Sequence, residues 1–288
     1  MSAPRFSVVM CSIAPWKFAQ ASACYARILA GVPFEIIGIH NALSLAEGYN
    51  QGLCQCRGDI VIFSHDDVLF LDHAFARKIG ERMQGWDVLG FVGSSRAVYP
   101  MWFAANWPHL HGAVCHWSRL QPGALSFMIY GMNGWPVTSD IRLLDGLCMI
   151  ARRDVAAAVG FDSDTFDSWH LYDCDFSLAA SRAGYRIGVC CDIPYIHASA
   201  SVQTTGSVYG SNAYMKYVDR FIAKYPEEKF SEYRAEPLQG ACFVVYDHHT
   251  LARLWNETTF RRATLATARR DAGERAARNS AAFAAEPS

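Results

Sequence analysis

The stretch GDIVIFSHDDVLF, residues 58–70, decides how this chain is read. Residues Asp59 to Phe63 open like a buried strand, and His65, Asp66 and Asp67 then fall together where that strand stops. Turns favour aspartate because its side chain bonds the nearby backbone, so a solvated turn is the plain reading of these three residues. The segments on either side decide between a turn and a chemical site.

Upstream, FSVVMCSI (6–13) is short, apolar and nearly continuous, the pattern of a strand covered on both faces. Residues 16–30 read as a helix closed by Gly31 and Pro33, and FEIIGI (34–39) reads as a second strand. Ser44 and Glu47 form an S-x-x-E capping box, after which Leu45, Tyr49, Leu53 and Cys56 recur on one helical face. With the strand at 59–64 the order is strand, helix, strand, helix, strand, joined by short links. That order predicts an α/β fold with right-handed crossovers: a doubly wound, mostly parallel sheet with helices on both faces. In such sheets ligands bind beyond the carboxyl ends of the strands, where residues 65–67 fall.

Downstream, Asp72 can cap a helix to about Met83, and WDVLGFVG (86–93) supplies a further strand. Residues 94–145 are aromatic and rich in Gly and Pro, with Trp102, Trp107, Trp117 and Trp135, and only GAVCHW and ALSFMIY read as strands. LLDGLCMIARRDV (143–155) is a strand leading into a helix at Asp154. A second helix begins near Trp169, carries Asp173, Asp175 and Arg182, and ends at Gly184. YRIGVCCDIPYIH (185–197) reads as a strand whose end reaches His197. From Asn256 the chain is rich in Ala and Arg, a C-terminal helical extension with a frayed end.

Composition narrows the class. The chain has 288 residues, 51% hydrophobic and 18% charged, with a net charge of −1. This suits a thick globular interior and argues against a nucleic-acid partner, which calls for a basic excess. Most of the ten cysteines sit in apolar runs, where a thiol acts as a small hydrophobe. Neither Cys54/Cys56 nor Cys190/Cys191 has the C-x2-C spacing of a zinc knuckle. No leading segment reads as a secretion signal, and no run approaches the roughly 18 apolar residues of a membrane span, so a cytoplasmic location is expected.

His65, Asp66 and Asp67, the pair Asp173 and Asp175, and His197 remain as chemistry. Carboxylates with an occasional imidazole suit Mg2+ or Mn2+, ions that keep positions open for substrate phosphates. A carboxylate cluster at a strand end of this sheet type therefore suggests a metal-bound diphosphate.

Six segments stand in order: NALSLAEGYNQGL, DIVIFSHDDV, LLDGLCMIARRDV, GFD at 160–162, WHLYDCDFSLAASRAGYRIGV and IPYIHAS. Together, over roughly residues 6–200, they resemble the inverting GT-A glycosyltransferases of the family 2 type, in particular a compact branch with an H-x-D-V strand end. The resemblance implies a GT-A domain over 1–255, with a nucleotide-sugar half at about 1–93 and an acceptor half at about 94–255, followed by the helix and tail of 256–288. It places Asp67 as the last acid of the D-x-D motif, holding the Mn2+ or Mg2+ that bridges the donor's two phosphates. His65 falls where the first Asp usually sits, as a metal or ribose contact, and His197 matches the late histidine that completes the metal shell. Asp173 matches the general base. Asp173 is preferred over Asp175 for that role, and the plain reading of both is acids that complement the helix dipole in the first turn.

On the donor side the resemblance, with position along the chain, points to Ser12, Asn41, Asn50, Asp66, Asp145 and Gly146, and on the acceptor side to Trp169, His170 and Trp135. His40 and Asn41 stand where the family usually has an Asp that holds the base. The implied partners are a nucleoside-diphosphate sugar and a glycan or lipid-linked acceptor, with surface polysaccharide assembly as the setting by analogy. The C-terminal helix offers a peripheral contact with the inner face of the membrane or with a protein. Arg182 reads as a structural ion-pair partner. Three rivals are weighed: a nucleotidylyltransferase, which wants a basic residue set in a Gly-rich loop after the first strand, a loop that CSIAPWKF (11–18) lacks; a metal-dependent phosphohydrolase of the all-helical H-D type, whose pair belongs on a helix whereas DIVIF reads as a strand; and a catalytically silent nucleotide-sugar or glycan-binding protein on the same fold.

Overall fold

The computed structural model describes residues 5–118, 121–131, 134–198, 211–231 and 241–257. The chain begins with β1 (Phe6–Cys11), α1 (Pro15–Ile28), β2 (Phe34–Ile39), α2 (Leu45–Leu53) and β3 (Ile60–Ser64). β2, β1 and β3 are parallel neighbours, with Phe6 opposite both Phe34 and Ile60. Every residue of β3 is buried, as an apolar run covered on both faces requires. α1 buries Ala21, Cys24, Tyr25 and Ile28, a single stripe at helical spacing. α2 starts as its capping box predicts, with the Glu47 N–H donating to Ser44 Oγ at 3.0 Å. It lies close on β1 because residue 52 is glycine: a Cβ there would meet Val9 Cγ1 at 2.2 Å.

The chain continues through β4 (Val68–Phe70), α3 (Phe75–Arg82), β5 (Val88–Gly90) and β6 (Val92–Ser94), then a 3-10 turn (Trp102–Ala105). Next come β7 (Leu110–Trp117), β8 (Leu125–Gly131), β9 (Val137–Thr138), β10 (Leu143–Leu144) and β11 (Cys148–Arg152). The remaining described elements are α4 (Arg153–Val159), α5 (Tyr172–Arg182), β12 (Ile187–Cys190), β13 (Tyr195–His197), α6 (Asn212–Lys224), β14 (Ala241–Val245) and α7 (His248–Asn256). The main sheet has the order β2-β1-β3-β11-β5-β12-β9. Five of its strands share one direction, while β11 runs against β3 and β5, and β9 runs against β12. A second sheet, β10-β6-β7-β8-β14, is antiparallel throughout, and β13 pairs with β4 in a separate ribbon.

Three predicted strands are each divided. WDVLGFVG becomes β5 and β6, which enter different sheets on either side of the fully buried Phe91. LLDGLCMIARR becomes β10 and β11, and YRIGVCCDIPYIH becomes β12 and β13. In the last case Asp192 breaks the run to take Arg82 at 2.6 Å and Lys78 at 3.1 Å. Residue 93 falls within β6, and β11 and β12 pair into the first sheet. The C-terminal extension expected over 256–288 lies, from residue 258 on, outside the described residues; α7 precedes it. No described helix is long and apolar enough to cross a membrane.

Candidate active site

The parallel strands β1, β2 and β3 end at one cleft of about 420 Å³. Ser12, Lys17, His40, His65, Asp66, Asp67 and Trp169 contribute its polar and aromatic lining. Pairing in the β4–β13 ribbon sets His197 opposite Val68, and so brings it alongside Asp67. The result is a cluster in which one ligand atom each from His65, Asp67 and His197 lie within 4.8 Å of one another.

The protonation of this cluster follows from its hydrogen bonds. The Tyr172 hydroxyl donates to the Gly146 carbonyl at 3.2 Å, so toward His65 Nε2, 2.8 Å away, it acts as acceptor. His65 is therefore protonated on Nε2, and its Nδ1 lone pair faces His197 Nε2 at 3.5 Å. Burial, then the neighbouring His197, pushes the His65 imidazole below its ordinary value and keeps it neutral. Burial works against ionisation of Asp67, but His197, His65 and Lys17 beside it outweigh that and hold its carboxyl at about 2. Asp67 Oδ1 is buried and receives no hydrogen bond, although His197 Nε2 is 3.3 Å away. An orphaned carboxylate oxygen facing two imidazole nitrogens fits a divalent cation such as Mn2+ or Mg2+. His116 supports the group from behind: its Nδ1–H donates to the His197 carbonyl at 2.9 Å.

Asp173 lies in the first turn of α5, directly after the Tyr172 that contacts His65, and is not itself among the residues lining the cleft. Its Oδ2 accepts from the Gly146 N–H at 2.7 Å and its Oδ1 from the Cys174 N–H at 2.8 Å. It retains partial exposure, yet burial, followed by the charge of Asp145, pushes its carboxyl up to about 7. That is the range of a general base poised for neutral pH. Asp175, by contrast, is buried with Lys224 and the Tyr225 hydroxyl both 2.7 Å away. It ties α5 to α6.

The other predicted residues divide. Ser12 and Asp66 line the cleft, joined by a 2.6 Å hydrogen bond from Ser12 Oγ to Asp66 Oδ2, and Trp169 lines it while 49% exposed. Asn41 is exposed between two lining residues, His40 and Ala42. Asn50 is engaged by the protein: its amide donates to the Phe161 carbonyl at 2.7 Å and accepts from the Phe161 N–H at 3.0 Å. Asp145 is likewise engaged, accepting from Trp102 Nε1 at 2.9 Å and the Leu147 N–H at 2.8 Å. Gly146 is needed for close approach, but to protein: a Cβ there would meet Tyr172 Oη at 2.1 Å. His170 turns away to pack on Tyr214 and Tyr217 of α6, ring centroids 5.0 and 6.0 Å apart. Trp135 precedes β9 at the far edge of the main sheet and is not among the residues lining the cleft. Arg182 is structural as expected, paired with Glu227 and Glu228.

Sequence reasoning passed over Lys17, Tyr172 and His116. Lys17 carried the one available signal, a basic residue just after the first strand within CSIAPWKF. Tyr172 and His116 act through backbone partners remote in sequence, which no local pattern announces.

The sequence matches the family model described as "Glycosyltransferase like family" over residues 7–225. The chain belongs to that family. No curated protein is similar to it at a significant level. Among solved structures it is similar to the mannosyltransferase PcManGT from Pyrobaculum calidifontis in complex with GDP-Man and Mn2+, at 12% identity and TM-score 0.39, covering 65% of this chain and 55% of that one. It is similar to residues 1–349 of TarS from S. aureus at 12% identity and TM-score 0.39, covering 76% and 72%. It is also similar to A197 from STIV at 12% identity and TM-score 0.36, covering 68% and 86%.

Proposed function

We propose that this glycosyltransferase moves a hexose from a nucleoside-diphosphate donor to a hydroxyl of a glycan or lipid-linked acceptor, with inversion at the anomeric carbon. The observation that carries the reading is the shared anchorage of two groups: His65 reaches the Gly146 carbonyl through Tyr172, and Asp173 holds the Gly146 N–H. The candidate cation cluster and a raised carboxyl are thus tied to the two flanking peptides of one residue, Gly146.

His65 Nδ1, Asp67 and His197 Nε2 would hold Mn2+ or Mg2+, which as a Lewis acid offsets the charge developing on the departing diphosphate. Asp173 takes the proton from the attacking acceptor hydroxyl, and its pKa near 7 lets it do so at neutral pH. Direct displacement with a single carboxylate base inverts the sugar. Ser12, by fixing Asp66, shapes the donor side of the cleft, and Trp169 offers an apolar ring face at its mouth for a sugar. Surface polysaccharide assembly is the setting this chemistry serves.

The test is a panel of nucleotide sugars screened for Mn2+-dependent thermal stabilisation, because a donor that binds the folded state must raise its apparent stability. The donor so found is then turned over, and the anomeric configuration of the product is read by NMR. Retention would refute inversion. A donor that stabilises the protein but is never consumed, with any acceptor, would favour a silent binding protein.

A further inference from the structure

We propose that Lys17 is the clamp for the donor's diphosphate, held in reserve by Asp67 until the His65, Asp67 and His197 site is loaded. The inference rests on the transferase reading above and names a positioning residue within it. Among the described residues lining the cleft, Lys17 is the sole lysine or arginine. It sits in the first turn of α1, with 32% of its side chain exposed. Its ammonium lies 3.9 Å from Asp67 Oδ2, the outer limit of an ion pair, and 5.8 Å from the centroid of the Trp16 ring. A partly exposed pair at that distance is weak and readily exchanged.

The charges explain why the exchange has a direction. Asp66 is satisfied by Ser12 Oγ at 2.6 Å and makes no ion pair with Lys17 among the described residues. Asp67 is the lysine's one carboxylate partner there, and it is also the one carboxylate in the cation cluster. A cation at that cluster takes up the carboxylate's charge and repels the ammonium. A diphosphate entering the cleft then offers it the nearest negative oxygens, and an ammonium on a flexible stem binds phosphate well as a point charge. Lys17 thus competes with the cation in the empty cleft and cooperates with it once the donor is present.

The experiment uses the full chain as wild type, Lys17→Met and Lys17→Arg, with folding checked by thermal melting. Calorimetry measures UDP, GDP and dTDP against their parent nucleosides in saturating Mn2+, and electron paramagnetic resonance measures Mn2+ alone. Lys17→Met should weaken the diphosphate about tenfold, the worth of one charge-assisted contact, while leaving the nucleoside unchanged. Lys17→Arg should stay within about threefold of wild type, since it keeps the charge. Mn2+ alone should bind Lys17→Met about two- to fivefold more tightly, as loss of an exposed ion pair implies. Equal effects on nucleoside and diphosphate, or no effect, overturn the clamp. Looser Mn2+ binding in Lys17→Met overturns the competition with Asp67. A wild type that binds Mn2+ but none of the three diphosphates brings down the transferase reading and the clamp together, whereas diphosphate binding unchanged in Lys17→Met removes the clamp alone.

Discussion

The Tyr172 hydroxyl stands 2.8 Å from His65 Nε2, so the residue just before the candidate base fixes the tautomer of a candidate metal ligand. The start of α5 therefore sets both halves of the proposed chemistry, because the same turn presents Asp173 to Gly146. Partners of this outer kind commonly change metal affinity 10- to 100-fold.

Tyr172→Phe removes the acceptor of the His65 Nε2–H. Mn2+ affinity, followed by paramagnetic resonance, should fall by about tenfold or more. The buried nitrogen left unpaired should cost about 1–3 kcal/mol of stability in urea unfolding. Unchanged Mn2+ binding would show that Tyr172 does not orient His65.

Asp173→Asn should lower kcat by roughly 10²- to 10⁴-fold with donor affinity little changed. In the wild type the ionised base fills in as pH rises through about 7, so kcat/KM should climb below that pH and level above it. The stability effect has its own sign. A carboxyl raised from 3.8 to about 7 on folding stabilises fully below pH 3.8, and that contribution is lost as pH rises to about 7. Across that window the Tm of Asp173→Asn should therefore gain on the wild type. A flat rate profile from pH 5 to 8 would remove Asp173 from the role.

Gly146→Ala should disturb cation site and base together, since the added Cβ meets Tyr172 Oη at 2.1 Å and Asp173 Cβ at 2.8 Å. We expect about 1–3 kcal/mol of destabilisation from overpacking, with loss of both Mn2+ binding and turnover. Full activity in this variant would mean that the two groups are not anchored through residue 146.

Asp175→Asn separates the two acids of α5. Asp175 is 2% exposed and engaged by Lys224 and Tyr225, so the change should lower stability by roughly 1–3 kcal/mol and leave kcat near wild type. A kcat loss as large as that of Asp173→Asn would reverse the assignment.

The first three strands and two helices were legible because each follows a short-range rule: continuous apolar runs, a capping box and short links. The broken strands were not, since nothing local to Phe91, Asp145 or Asp192 tells a run of apolar residues that its two ends serve different sheets. At the site, the clustering of His65, Asp67 and His197 was foreseen from ordered segments. The protein partners of Asn50 and His170, Phe161 and α6, were not legible because they are distant in sequence. An amide in α2 or an imidazole just ahead of α5 looks the same in sequence whether it meets a ligand or another part of the chain.

β11 fills the slot between β3 and β5 although it is made almost sixty residues after β5. A nascent chain that has emerged only as far as β5 thus carries three unsatisfied strand flanks, one on β3 and both on β5, and lacks the hydrogen bond, His65 N–H to Leu147 carbonyl at 3.0 Å, that seats the first histidine. The cleft end of this sheet is consequently no autonomous module that recombination could lift out and graft elsewhere. It comes into being only when the later part of the polypeptide threads back through it.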